Sequence, residues 1–234
     1  MTKKTVKYSI GQMIINTIII IIFFPAVILL LGGNWRWIEG WIFGIWMDVM
    51  VAANMLYLYF KDPALLAERQ KSIGSDNQKA SDKYLGIAIG LLAVLWFIIV
   101  PLDSERFRWS PAFPVWLKIL GFVILIPAVY LIQRTTMENT FMSTLIRVQD
   151  ERKQNVVSTG LYSFVRHPLY LGTLLMSFGA DLLLGSLAGL ILNLITIILL
   201  VYRILGEEKM LAEELEGYEE YKKKVAYRLI PFIW

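Results

Sequence analysis

Long apolar stretches almost free of charge limit this fold more than any other feature. Residues 13–31 carry no charged side chain over 19 positions, and residues 169–205 carry only Asp181 and Arg203 over 37. Lipid offers no partner to a backbone amide, so an apolar run of about 20 residues folds as a helix that pairs its own N–H and C=O groups. The rest of the chain agrees. It is 57% hydrophobic and 18% charged, against about 45–50% and about 25% for soluble domains.

Helices are expected near 11–32, 37–60, 84–102, 115–134, 169–184 and 186–206, the last two forming a hairpin that turns at Gly185 and Ser186. The fold class is all-α: a polytopic membrane bundle of about six transmembrane helices plus a C-terminal cytoplasmic amphipathic helix. One integral domain is expected over 1–234, with four helices in 1–134 and a loop, a hairpin and a tail in 135–234. The opening MTKKTVK and the apolar run after it look like a signal peptide, but no small-residue cleavage site follows, so a retained first helix is expected. Asp48 falls inside the second helix with Asn54 nearby, and a carboxylate in lipid needs a partner that the sequence does not identify.

Basic residues orient the bundle. With the first residues inside, the inner segments hold 19 Lys and Arg and the outer ones only Arg36, Arg106, Arg108 and Lys118, which predicts an N-in, C-in chain. Trp35, Trp37, Trp41, Trp109 and Trp116 fall at the outer ends, where interfacial aromatics collect. The net charge of +4 therefore reads as cytoplasmic loops rather than a nucleic-acid surface. Of the two long inner segments, 61–83 reads as a plain loop. Segment 135–168 mixes apolar, charged and turn residues, and an ordered loop of that length usually has a task. The tail from Glu207 to Val225 reads as one amphipathic helix, with Leu211, Leu215 and Tyr218 on a common face, ending before Pro231.

The chemistry is narrowed by what is missing. There is no cysteine and a single histidine, His167, so thiolate chemistry is excluded and a protein-bound metal is not expected. No phosphate-binding glycine loop is present. In VRHPLY, Pro168 marks a helix start, where free N–H groups favour an anion; Arg166 and His167 would either strengthen such a site or contact lipid phosphates and pack. Arg203 and Glu207 are four apart and share a helix face as the last span leaves the membrane, either as a surface pair or facing a polar cavity. A hairpin over 169–206 brings both motifs and the loop before Gly160 to one membrane face, where a single inward-facing pocket can use all three.

RHPLYLG, then EEKML, then GYEEYKKKVAYRLIP, in this order and spacing, resembles the integral membrane methyltransferases related to isoprenylcysteine carboxyl methyltransferase, with phospholipid methyltransferases as more distant relatives. The likeness runs from about Phe141 to the end; LEGYEEY departs from the eukaryotic pattern around Gly217 and resembles prokaryotic members, implying a prokaryotic cytoplasmic membrane. The resemblance implies S-adenosyl-L-methionine as cofactor. It implies cofactor-binding roles for Gln149, Gln154, Asn155, Val156, Val157, Tyr162, His167, Pro168, Leu169, Tyr170 and Glu207. Arg203 would act on the substrate side, with Arg166 beside the reacting groups. The substrate implied is a lipid or isoprenoid-linked acceptor reached from the bilayer, with carboxylate O-methylation favoured. Alternatives are N-methylation of a phospholipid amine and an NADPH-dependent sterol-reductase-like enzyme, whose extra phosphates would require more basic residues around 147–166.

Overall fold

The computed structural model describes residues 22–69, 71 and 80–234. They form helices α1 (Ile22–Gly32), α2 (Ile38–Lys61), α3 (Pro63–Arg69), α4 (Ala80–Pro101), α5 (Val115–Glu138), α6 (Pro168–Leu184), α7 (Leu187–Glu214) and α8 (Tyr218–Lys224), with no strand among the described residues. Four helical stretches are long and apolar enough to cross a membrane: Ile38–Lys61, Asp82–Arg106, Val115–Glu138 and Leu187–Glu214; Ile22–Gly32 and Pro168–Leu184 are shorter apolar helices. The chain is a multi-pass, all-helical membrane protein. The start of the first expected helix, 11–21, lies outside the described residues.

The tightest seam is between α5 and α6, where glycines let two backbones meet. A Cβ on Gly121 would lie 2.6 Å from the Gly179 carbonyl and closer still to the Leu183 nitrogen, and one on Gly172 would lie 2.9 Å from Ile132. In lipid, where hydrophobic driving force between helices is absent, small residues at a seam provide the attractive close packing. Around it Phe43, Val100, Leu125, Met176 and Leu183 make the main core. The α6–α7 turn sits at Gly185, which takes φ +81, and Ser186 caps α7 by accepting from the Gly189 N–H at 2.9 Å. Pro101 interrupts α4, and a π-helical turn, Leu102–Arg106, follows. That turn delivers Asp103 to accept from the Ser186 hydroxyl at 2.6 Å and the Ser110 hydroxyl at 2.7 Å, stapling this end of the bundle.

Several expectations change. Segment 61–83 is not a plain loop: Asp62 accepts from the Leu65 N–H at 3.0 Å, Pro63 opens α3, and Leu65 and Leu66 bury against Leu58 and Met142. The single tail helix divides instead. α7 runs on to Glu214 because nothing between Arg203 and Glu214 breaks it, and Gly206 costs a helix only about 1 kcal/mol. The break falls at Gly217, whose φ of +84 starts α8. Trp37 is buried, packed against Gly32 and Gly40, whereas Trp35, Trp41, Trp109 and Trp116 are exposed. Asp48 is buried, and its Oδ1 has no hydrogen-bond partner among the described residues. Asn54 has several: it donates to Gln133 and Thr136 and accepts from Arg69, tying α2, α3 and α5 together.

Candidate functional site

At the end of the bundle where α6 begins, the 139–157 loop, the start of α6, the last turns of α7 and α8 enclose a cavity. Between α5 and α6 the chain has only two short 3-10 turns, Asp150–Arg152 and Gly160–Ser163, so side chains hold its course. Arg147 donates to Glu68 at 2.8 and 3.0 Å, and Arg152 donates to the Thr140 carbonyl at 2.7 Å. Glu138 accepts from the Leu161 N–H at 2.7 Å. Burial by itself would raise the Glu68 carboxyl, but hydrogen bonds from Arg147, Lys71 and Ser143 outweigh it and hold the pKa down at about 2. Burial pushes the Tyr162, Tyr218 and Tyr221 hydroxyls well above their ordinary range, so all three stay protonated donors.

Gln154, Asn155, Val156, Val157, Tyr162, Arg166, His167, Leu169, Tyr170 and Glu207 border this cavity. Gln149 and Pro168 do not. Gln149 is fully buried behind the wall, where it donates to the Phe141 carbonyl at 2.6 Å and accepts from Arg152 at 2.8 Å; it braces the loop. Pro168 is buried at the first position of α6, where it sets the helix start.

Arg203 and Glu207 share a face without touching, because Tyr170 stands between them. The Arg203 Nε–H donates to the Tyr170 hydroxyl at 3.1 Å, and that hydroxyl donates to Glu207 at 2.9 Å. Arg203 also donates to the Thr144 carbonyl at 2.7 Å and lies 3.5 Å from Asp82. Arg203 also lines a second cavity, bordered by mostly apolar side chains of α2, α4, α6 and α7, among them Met47, Leu92, Trp96 and Leu174. Leu169 and Tyr170 line both cavities, so the polar and the apolar one meet at the start of α6.

Glu208 was missed in the sequence, and it reorganises the roles of Arg166 and His167. The Arg166 guanidinium donates to Glu208 at 2.6 Å and to the Val225 and Ala226 carbonyls at 2.6 and 2.9 Å, so it is a clamp on the tail rather than an open anion donor. His167 Nε2 lies 3.1 Å from the same carboxylate, and its ring stacks on Tyr170. Arg228 donates to Glu208 at 2.9 Å. The Arg166 and His167 N–H groups pair with the Tyr227 and Arg228 carbonyls, so the backbone just before α6 is tied to the tail. Met210, Leu211 and Leu215, also unassigned from sequence, line the cavity, and Leu211 and Leu215 share an apolar cluster with Val156. Leu211 and Leu215 had been visible as an amphipathic face, but that face turns toward the cavity. Among the described residues no cluster of His, Asp and Glu can hold a metal.

Residues 119–213 match the sequence model of the isoprenylcysteine carboxyl methyltransferase (ICMT) family. The chain is 34% identical over 142 residues to the protein-S-isoprenylcysteine O-methyltransferase of Saccharomyces cerevisiae, covering 56% of this chain and 55% of that protein. It is 32% identical over 85 residues to the Schizosaccharomyces pombe protein of the same name, covering 36% of each. The match thus spans about half the length of the first relative and about a third of the second. Both are fungal, which lends no support to a prokaryotic assignment. A solved structure of the eukaryotic intramembrane Ras methyltransferase ICMT aligns over 94% of this chain and 86% of its own, at 19% identity and a TM-score of 0.47. The likeness to the isoprenylcysteine carboxyl methyltransferase family thus rests on residues 119–213 and on the two fungal relatives.

Proposed function

We propose that this protein transfers a methyl group from S-adenosyl-L-methionine to the carboxylate of an isoprenoid-linked acceptor, such as a prenylated cysteine, at the cytoplasmic face of its membrane. The observation that carries the proposal is the junction at Tyr170, where a polar cavity and an apolar cavity open on the same side chain, with Glu207 on one side and Arg203 on the other. The names of the two fungal relatives support the same acceptor, and the crowding of Lys and Arg onto one set of loops supports the orientation.

The residues of the polar cavity suit the cofactor. Glu207 can accept from an ammonium or a ribose hydroxyl, Gln154 and Asn155 offer amides, and Val156, Leu211 and Leu215 give an adenine ring an apolar wall. When bound, the cofactor supplies the electrophilic methyl group. A nicotinamide cofactor with its extra phosphates suits the cavity less well, because both bordering arginines are committed: Arg147 to Glu68 and Glu151, Arg166 to Glu208.

The chain's own work is positioning. The apolar cavity takes the isoprenoid and leaves its polar end at Arg203, whose planar guanidinium suits a carboxylate. Thr144 and Asp82 hold that guanidinium in place, and the Tyr170 hydroxyl joins it to Glu207. A carboxylate is already ionised at neutral pH, so no residue has to remove a proton before attack. Alignment in a water-poor site can contribute up to about 7–11 kcal/mol.

The test uses the purified protein in detergent. S-adenosylhomocysteine should raise its melting temperature and NADPH should not. Transfer from radiolabelled cofactor should favour an S-prenylated cysteine over a phospholipid amine. Arg203→Ala should lower turnover at least tenfold while changing cofactor affinity less than threefold, roughly what one charge-assisted hydrogen bond to substrate predicts. Stabilisation by NADPH alone, or label entering only the amine, would overturn the proposal.

A further inference from the structure

Past α8 the chain presents an apolar tip to the outside. Phe232 is 89% exposed and Ile233 77%, with Ile230 and Pro231 exposed beside them. Phe232 adopts φ +67, a left-handed conformation that bulky residues rarely take, and its otherwise exposed ring meets Tyr227 at 5.2 Å between centroids. The tip is not a loose end. The carbonyl of Trp234 accepts from the N–H groups of Arg228, Leu229 and Ile230, Leu229 is buried, and Arg228 lies over the Trp234 ring at 5.2 Å. The base of the tip pairs by its backbone with Arg166 and His167, the two residues before α6 enters the apolar bundle. That pairing holds the base of the tip beside the start of α6. The exposed Lys223 and Lys224 at the end of α8 precede the tip in the chain.

We infer that residues 230–233 form an interfacial anchor that seats in the leaflet at this face of the membrane, with Phe232 and Ile233 among the upper acyl chains and Lys223 and Lys224 level with anionic headgroups. Apolar side chains held rigidly outward beside a cationic cluster are the combination that binds an anionic lipid surface. The anchor is continuous with the candidate site, since Arg228 reaches Glu208 and the backbone pairs with His167. It holds whether or not the proposed reaction is right.

The absence of cysteine makes the test clean. Phe232→Cys and, separately, Ile233→Cys each carry one nitroxide in the full chain, reconstituted in vesicles of phosphatidylcholine and phosphatidylglycerol. Glu220→Cys on the exposed side of α8 is the aqueous control. Power-saturation electron paramagnetic resonance then compares collision with oxygen, which partitions into lipid, and with a nickel chelate, which stays in water. The oxygen-to-nickel ratio at 232 or 233 should exceed that at 220 severalfold, and should fall when Lys223→Glu and Lys224→Glu are combined in the same vesicles. Ratios at both positions equal to the control would overturn the anchor. So would labels shielded from both reagents, which would place a protein partner or a second copy on the tip.

Discussion

Glu207 and Glu208 are adjacent carboxylates, and the structure assigns them separable consequences on substitution. Glu208 lies with Arg166 at 5% side-chain exposure each, and it also receives Arg228 and His167. Glu208→Ala leaves the Arg166 guanidinium buried with only the Val225 and Ala226 carbonyls. Removing one partner of a buried pair costs about 3–5 kcal/mol, because the other charge is left uncompensated. Glu207 is half-buried, with one hydrogen bond from Tyr170, so Glu207→Gln should cost about 1 kcal/mol of stability. If Glu207 meets the cofactor as proposed, that same change removes a charge-assisted contact of about 1.5–3 kcal/mol, weakening S-adenosylhomocysteine by roughly 10- to 150-fold. The assay is fluorescence-detected unfolding in one detergent together with calorimetric titration. Arg166→Met combined with Glu208→Leu should unfold later than Glu208→Ala alone, since both charges leave together. The reasoning fails if Glu208→Ala unfolds with the parent protein, or if Glu207→Gln unfolds as early as Glu208→Ala.

Two further outcomes follow from the packing. The Glu68 carboxyl is held at about 2 in the folded chain against an ordinary 4.5, so its contribution is complete above pH 4.5 and is lost as pH falls from 4.5 toward 2. Glu68→Gln should be less stable at neutral pH and show a shallower loss across that window, measured by denaturant titration at stepped pH; an unchanged acid limb would remove the ion pair from the account. Gly121→Ala should destabilise the α5–α6 seam by a few kcal/mol, because the new methyl meets backbone atoms of Gly179 and Leu183 that cannot swing aside. Gly90→Ala, whose Cβ would meet nothing within 4 Å, is the matched control and should be neutral or slightly stabilising in the same melt.

How much of the fold was legible depended on how local its causes were. The apolar runs and the Gly185–Ser186 turn were plain, because lipid forces helices and a left-handed glycine ends them; the observed α2, α5, α6 and α7 start within about one residue of expectation. α3 was hidden because its helix is short and its reason is distant: Leu65 and Leu66 gain from burial against Met142, far along the chain. The division of the tail at Gly217 was hidden for the opposite cause. Charge began at Glu207, so the helix seemed to change there, yet polarity ends a membrane span without ending a helix.

The site shows the same division between a face and its partner. At about 100° per residue, positions 203, 207 and 211 of α7 share one side, and 204 and 208 share the next. That spacing was enough to group Arg203 with Glu207, and the structure turns 207 and 211 to the polar cavity while 203 reaches the apolar one. The neighbouring side carries Ile204, fully buried, and Glu208, nearly so. A buried charged residue one step round from a cavity-facing one has to be paired, and its partners are Arg166 and His167, which the sequence left open between an anion site and lipid contact or packing. Pro168 pointed to a helix start with open N–H groups, but the competing claim of residues 225–228 on Arg166 and His167 arises only after α8 folds back. Glu208 therefore acts as the pin through which the tail closes on the bundle, and the carboxylate beside it is left facing the cavity.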